Sequence, residues 1–163
     1  MKPIYTKMRM PTGKNSIIDL SIHITNYKTS NMNKSKIIIL WILRLLAAVI
    51  MLQTLYFKFS AQPESVHLFT ILGMEPWGRI GIGVMELIAS ILILYPRTTG
   101  YGAVLGLGLM AGAIFFHLTK LGIVFEGDAI LFTYAVIVFV CCAILVLFYK
   151  KELLKLIPFV KNN

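Results

Sequence analysis

Residues 78–96 read GRIGIGVMELIASILILYP, an apolar, glycine-rich run with a single acid, Glu86, near its middle. The run is long enough to cross a bilayer as a helix, which takes roughly 20 residues. Three further runs share its character. They predict spans at about residues 37–57, 78–95, 101–119 and 129–149, by the same length criterion. The runs are too long for strands and lack period-2 alternation. They also lack the polar face that a soluble core helix presents to water. The chain is 58% hydrophobic and 14% charged, with a mean hydropathy of +0.80; soluble domains carry about 25% charged residues. The fold class predicted is all-α, an integral membrane four-helix bundle.

The net charge of +9 is placed as a membrane protein places it, and nucleic acid is not a predicted partner. Twelve of the sixteen basic residues fall before the first span, in the turn after the second (Arg97) or after the fourth. Lys58, Arg79 and Lys120 fall on the opposite side, and Arg44 lies inside a span. The positive-inside rule puts the richer side in the cytoplasm, so both termini are expected to be cytoplasmic, as an even number of spans also requires. The predicted location is a cytoplasmic (inner) membrane, multi-pass, with the lipid bilayer as the first partner.

Residues 1–35 are read as a polar, poorly ordered arm, 36–150 as the transmembrane domain and 151–163 as a basic cytoplasmic tail. Met32 opens MNKSKIIILWILRLL, a short basic leader ahead of a membrane helix; translation is expected to start there, and the intact mass of the native protein tests this. The piece ESVHLFTILGM, between spans one and two, reads as a short surface helix. The third span carries Gly102-xxx-Gly106 and Gly108-xxx-Gly112, a spacing that lets helices approach closely. The two pairs point to different sides, which predicts neighbours on two faces. The fourth span has no acidic or basic residue before its terminal Tyr149 and is expected to be the most lipid-exposed. Its adjacent Cys141 and Cys142 have no metal-binding spacing and read as small apolar filler, with a vicinal redox pair as the alternative.

A lone charge at mid-bilayer costs ~2.5–3.5 kcal/mol on insertion scales, so Glu86 needs an answer. At 1.5 Å per residue, Arg44 lies about 10 Å and Glu86 about 14 Å above the cytoplasmic end of their spans. Matching heights predict an Arg44–Glu86 ion pair; a protonated Glu86 is the alternative. Arg44, Ala47, Ala48, Met51, Leu55 and Lys58 share one stripe of span one. Arg79, Gly83 and Ser90 share the side of Glu86, and Gly106, Ala113, His117 and Lys120 align on span three. Together they predict one polar seam, with Arg44 and Glu86 deep and His117, Lys120, Lys58 and Arg79 toward its outer mouth. Gln53 points away from it. The bland reading is a structural cross-link with anchoring charges at the span ends. The sharper one makes Glu86 and His117 candidate proton-handling catalytic residues and the whole set a binding seam, as quinone chemistry requires.

The residues 38–147 resemble the DoxX family of small four-helix bacterial membrane proteins. The resemblance is carried by LRLLAAVIMLQTLYFKF with Arg44 and Lys58, by GIGVMELIASILILYPRTTGYGA with Glu86, and by LMAGAIFFHL with His117. It implies a redox-associated membrane component, since the family takes its name from a subunit of an archaeal thiosulfate:quinone oxidoreductase. The sequence shows no haem, flavin, iron–sulfur or metal signature, so quinone is the one cofactor this reading admits. The expected role is an accessory or quinone-interacting component of a membrane redox or oxidative-stress system, acting as an oxidoreductase subunit if it is an enzyme at all. Other redox subunits or further copies of the chain are the candidate protein partners. The rival role is a non-catalytic scaffold or a small-solute transporter.

Overall fold

The computed structural model describes the backbone of residues 16–154 and the side chains of residues 34–150 and 152–154. Two units are distinguished, residues 1–39 and residues 40–163. The first contributes the opening turns of helix α1, and the second holds the bundle. The helices are α1 (Ser16–Phe59), α2 (Pro63–Ile71), α3 (Trp77–Leu94), α4 (Thr99–Phe116) and α5 (Ile130–Leu154), with a π-helical turn at His117–Leu121 continuing α4. No strand occurs among the described residues, only an isolated bridge between Phe125 and Asp128.

Among the described residues, four stretches are long and apolar enough to cross a membrane: Lys34–Phe59, Trp77–Leu94, Thr99–Leu121 and Ile130–Lys150. They match the four predicted spans to within a few residues. Part of the predicted N-terminal arm differs, because α1 begins at Ser16. No Gly or Pro lies between Ser16 and Phe59, and extending an established helix costs far less than nucleating one. The span therefore propagates its helix backwards through a segment with no apolar periodicity of its own. Residues 1–15 and the tail beyond Leu154 lie outside the described residues.

Short breaks divide the rest. Gln62 precedes Pro63, which opens α2 at a position where its missing N–H is no loss. Gly73, at φ +71°, turns the chain out of that helix. The predicted surface helix is thus present, tied on its far side by His67 to Glu126 at 2.6 Å. Between α3 and α4 the Pro96–Thr98 turn leaves almost no connection, so these helices pack as a hairpin. This hairpin end is one end of the bundle; α2, the π-turn and the loop before α5 form the opposite, cap end.

The core sits where all four spans converge on Gly106. A Cβ there would meet Cys142 Sγ at 3.0 Å, Ile93 Cδ1 at 3.6 Å and Met51 Sδ at 3.8 Å. Ala47, Ala89, Ala103, Val138 and Leu145 fill the same core. Outward positions are apolar as well, among them Ile42, Val49, Val84, Ile91, Val104 and Leu147. An apolar exterior of this extent is a liability in water and suited to lipid contact.

The fourth span, expected to be the most exposed, shares that place with the first and third: 28% of each window is buried, against 33% for the second. It packs through small residues, and Cys141 and Cys142 are both buried as free thiols. One expectation is corrected here. The second glycine pair on α4 faces no neighbour, since nothing lies within 4 Å of a Cβ at Gly108 or Gly112. Helical rotation turns that pair away from the Gly102–Gly106 stripe, and the four spans leave no fifth helix to meet it.

Candidate functional site

Glu86 is buried on α3 and forms an ion pair with Lys58, not with Arg44: Lys58 Nζ lies 2.8 Å from Glu86 Oε2. Thr54 shares its one hydroxyl hydrogen between the Met51 carbonyl at 2.8 Å and the same carboxylate oxygen at 3.1 Å, and Lys58 donates to Thr54 Oγ1 at 3.0 Å. One carboxylate oxygen thus receives an ammonium and a hydroxyl from two successive turns of α1. Gly83, one turn before Glu86, makes room for this approach, with Lys58 Cβ 3.6 Å and the Phe59 ring 3.2 Å from where a Cβ would stand. Ser90 donates to the Glu86 backbone carbonyl at 2.8 Å and keeps its own hydroxyl satisfied.

The expected Arg44–Glu86 pair fails for a reason of register. Lys58 Cβ lies 3.6 Å from where a Gly83 Cβ would stand, so Lys58, not Arg44, is level with the Gly83–Glu86 turn of α3. Arg44, fourteen residues earlier on α1, lies ~21 Å nearer the hairpin end, out of reach of Glu86. Side chains on a helix lean toward its N-terminus, so Lys58 on α1 and Glu86 on the antiparallel α3 lean toward each other. Arg44 instead donates from Nη2 to the hydroxyl of Thr99, the first residue of α4. Its guanidinium carbon sits 4.7 Å from the Trp41 ring centroid and 5.8 Å from that of Tyr149. Three backbone carbonyls, those of Ile93, Tyr95 and Pro96, lie within 3.4 Å of Thr99 Oγ1 and take its hydrogen. The hydroxyl's lone pairs are left for the arginine. Replacing Thr99 by valine removes the only hydrogen-bond acceptor that Arg44 has among the described residues. It is expected to cost ~1–3 kcal/mol, the range for orphaning a buried donor. Thermal unfolding in detergent would show the loss, with Thr99→Ser close to the parent.

The remaining predicted residues divide as follows. Arg79 is buried and holds Glu75 through Nε at 2.9 and 3.0 Å and through Nη2 at 2.7 Å. Its Nη1 donates to the Lys58 carbonyl, one of the end carbonyls that a helix cannot satisfy internally. Arg79 thereby fixes the end of α1 and with it the position of Lys58. His117 is buried in the π-turn, with Nδ1 2.8 Å from the Gly122 carbonyl and its ring edge-on to Phe132. Lys120 is exposed and joins none of these groups. Gln53 is exposed on the outer face of α1, as its position opposite Arg44 implied.

The single seam is therefore three separate groups. Lys58, Glu86 and Arg79 are brought together at the cap side of mid-span; Arg44 lies apart at the hairpin end; His117 closes the π-turn. Thr54, Glu75, Thr99, Trp41 and Tyr149 are partners that sequence reasoning missed. Glu75–Arg79 was findable, since an acid four residues before an arginine is a helical pair. Thr54 stands at the same spacing from Lys58. Nothing local marked Thr99.

Four apolar helices around buried ion pairs define a multi-pass helical membrane protein. Within that class the family is specific: the model of the DoxX-like family matches residues 42–147. The chain belongs to the DoxX-like family, and the matched region contains Arg44, Lys58, Arg79, Glu86 and His117. No curated protein and no solved structure matches the chain.

Proposed function

We propose that this protein is an accessory component of a membrane redox or oxidative-stress system in the bacterial cytoplasmic membrane, with both termini cytoplasmic, and that it meets a quinone head group at Lys58 and Glu86. The observation that carries this reading is the Lys58–Glu86 pair beside Thr54. The pair is largely shielded, with side-chain exposures of 14% and 6%. A quinone carbonyl is a hydrogen-bond acceptor that an ammonium and a hydroxyl satisfy, and its reduction consumes protons that a neighbouring carboxyl group can relay. The remaining exposure is on Lys58, the member nearer the cap end, where a head group whose tail stays in lipid would enter. His117, with Nδ1 occupied by Gly122, keeps Nε2 for proton exchange on the cap side. The electrons would come from a partner subunit, because the sequence has no signature of a carrier.

The scaffold reading is favoured by a different observation. Arg44, Glu86 and His117 are each answered by separate neighbours instead of converging on one chamber. The full chain, extracted from native membranes in polymer nanodiscs, separates the two readings when bound quinone and copurifying proteins are both measured by mass spectrometry. Quinone enriched severalfold over the bulk membrane is expected, together with a redox subunit. The enrichment should fall to the bulk ratio in the folded, monodisperse fraction of Lys58→Met. A redox subunit without quinone enrichment supports the scaffold; neither one overturns both.

A further inference from the structure

Among the described residues, Arg44 is the buried charged side chain with no opposite charge beside it. Arg79 has Glu75, and Glu86 has Lys58. Arg44 is 3% exposed and has only a hydroxyl and two aromatic faces as partners. Its Nε is buried with no hydrogen-bond partner among the described residues. A guanidinium presents a fork of donors matched to two oxygens of one oxyanion, and half of that fork is unused here.

The surroundings favour an anion. Thr99 opens α4, an 18-residue helix whose N-terminus carries partial positive charge and unpaired amides. Thr98 supplies no side-chain cap to those amides. Arg97 is exposed in the adjoining turn, and Lys150 follows Tyr149 on α5. Because Thr99 is the terminal residue of a span, the guanidinium that it holds lies at the level of lipid head groups. Trp41, 39% exposed, forms the outer wall over the guanidinium, and a rotation of its ring would uncover the charge.

We infer that Arg44, together with Thr99 and the N-terminus of α4, binds a phosphate oxyanion from outside the chain, admitted by displacement of the Trp41 ring. The group is a phospholipid head group or free phosphate; the chemistry at the arginine is the same. This inference stands independently of the quinone reading, which concerns the other end of the bundle.

The test uses the full chain in dodecyl maltoside and a phosphate-free buffer, on a Trp77→Phe background so that Trp41 alone reports; Trp77 is 81% exposed. Three probes are added separately: dioctanoyl phosphatidylglycerol, dioctanoylglycerol as the phosphate-free match, and inorganic phosphate. Phosphatidylglycerol is expected to raise the Tm by several degrees more than dioctanoylglycerol and to shift the Trp41 emission, and Arg44→Lys should lose most of both effects. Arg44→Met should lose them entirely. The same response to inorganic phosphate identifies free phosphate as a source, and its absence identifies the lipid head group. If neither phosphate probe outperforms dioctanoylglycerol on the parent, or if Arg44→Lys responds like the parent, the inference is overturned. The parent measurement decides even where Arg44→Met fails to fold.

Discussion

Lys58→Met is expected to lower stability by ~3–5 kcal/mol, the range for removing one member of a buried ion pair. The double variant Lys58→Met with Glu86→Leu should recover much of that loss. The single change leaves Glu86, with 6% of its side chain exposed, facing only the Thr54 hydroxyl. The carboxylate must then either keep its charge in a low-dielectric interior or take up a proton, and both cost free energy. The double change leaves two apolar side chains of similar bulk beside the space that Gly83 provides. Unfolding midpoints of both singles and the double in one detergent give the coupling directly. A second cycle with Arg44→Met and Glu86→Leu serves as the control. Those residues have separate partners, so their effects should add within a few tenths of a kcal/mol, as for distant sites generally. Additivity in the Lys58 cycle instead would mean that the ion pair contributes nothing to the fold.

The four spans, their order and the inward stripes of α1 and α3 were legible in the sequence because hydropathy and the 3.6-residue period act locally. Arg44, Ala47, Ala48, Met51 and Leu55 are all buried, as are Arg79, Gly83, Glu86 and Ser90. The pairing of charges was less legible, because it depends on the register between antiparallel helices, which heights counted from estimated span ends did not fix. In the bundle Lys58, not Arg44, stands level with the Gly83–Glu86 turn of α3, and Arg44 falls at the hairpin end. Thr99 could not be found from pattern, since its role arises only when the Pro96–Thr98 turn folds the start of α4 against α1. The helix before Lys34 was missed for another reason: its existence reflects propagation from the span, not any signal in residues 16–33. Of the two glycine pairs, spacing alone could not say which one meets a neighbour.

That distinction gives the second large effect. Gly102→Ala is expected to destabilise the bundle by about 3 kcal/mol or more, at or beyond the upper end of ordinary overpacking. An added Cβ would lie 2.5 Å from the Ile93 nitrogen and 2.8 Å from the Leu92 carbonyl carbon. These are backbone atoms, so no rotamer change relieves the clash, and α3 and α4 must move apart. The turn between them resists this: Thr98 Oγ1 donates to the Leu92 carbonyl at 2.9 Å, and the one hydroxyl hydrogen of Thr99 is shared among three further carbonyls on the same side. Separation would also withdraw Thr99 from Arg44, so the loss should include part of the Thr99→Val effect and be less than additive with it. Gly108→Ala is the matched control. Its Cβ meets nothing within 4 Å, and the gain in helix propensity of ~0.5–1 kcal/mol makes it neutral to mildly stabilising for the isolated chain. Thermal unfolding and the folded, monodisperse fraction on size exclusion measure both variants. Equal tolerance of alanine at Gly102 and Gly108 would mean that the α3–α4 hairpin is not closed by backbone contact at Gly102. A loss at Gly108 matching that at Gly102 would place a second helix, from another copy or another subunit, against the outer face of α4.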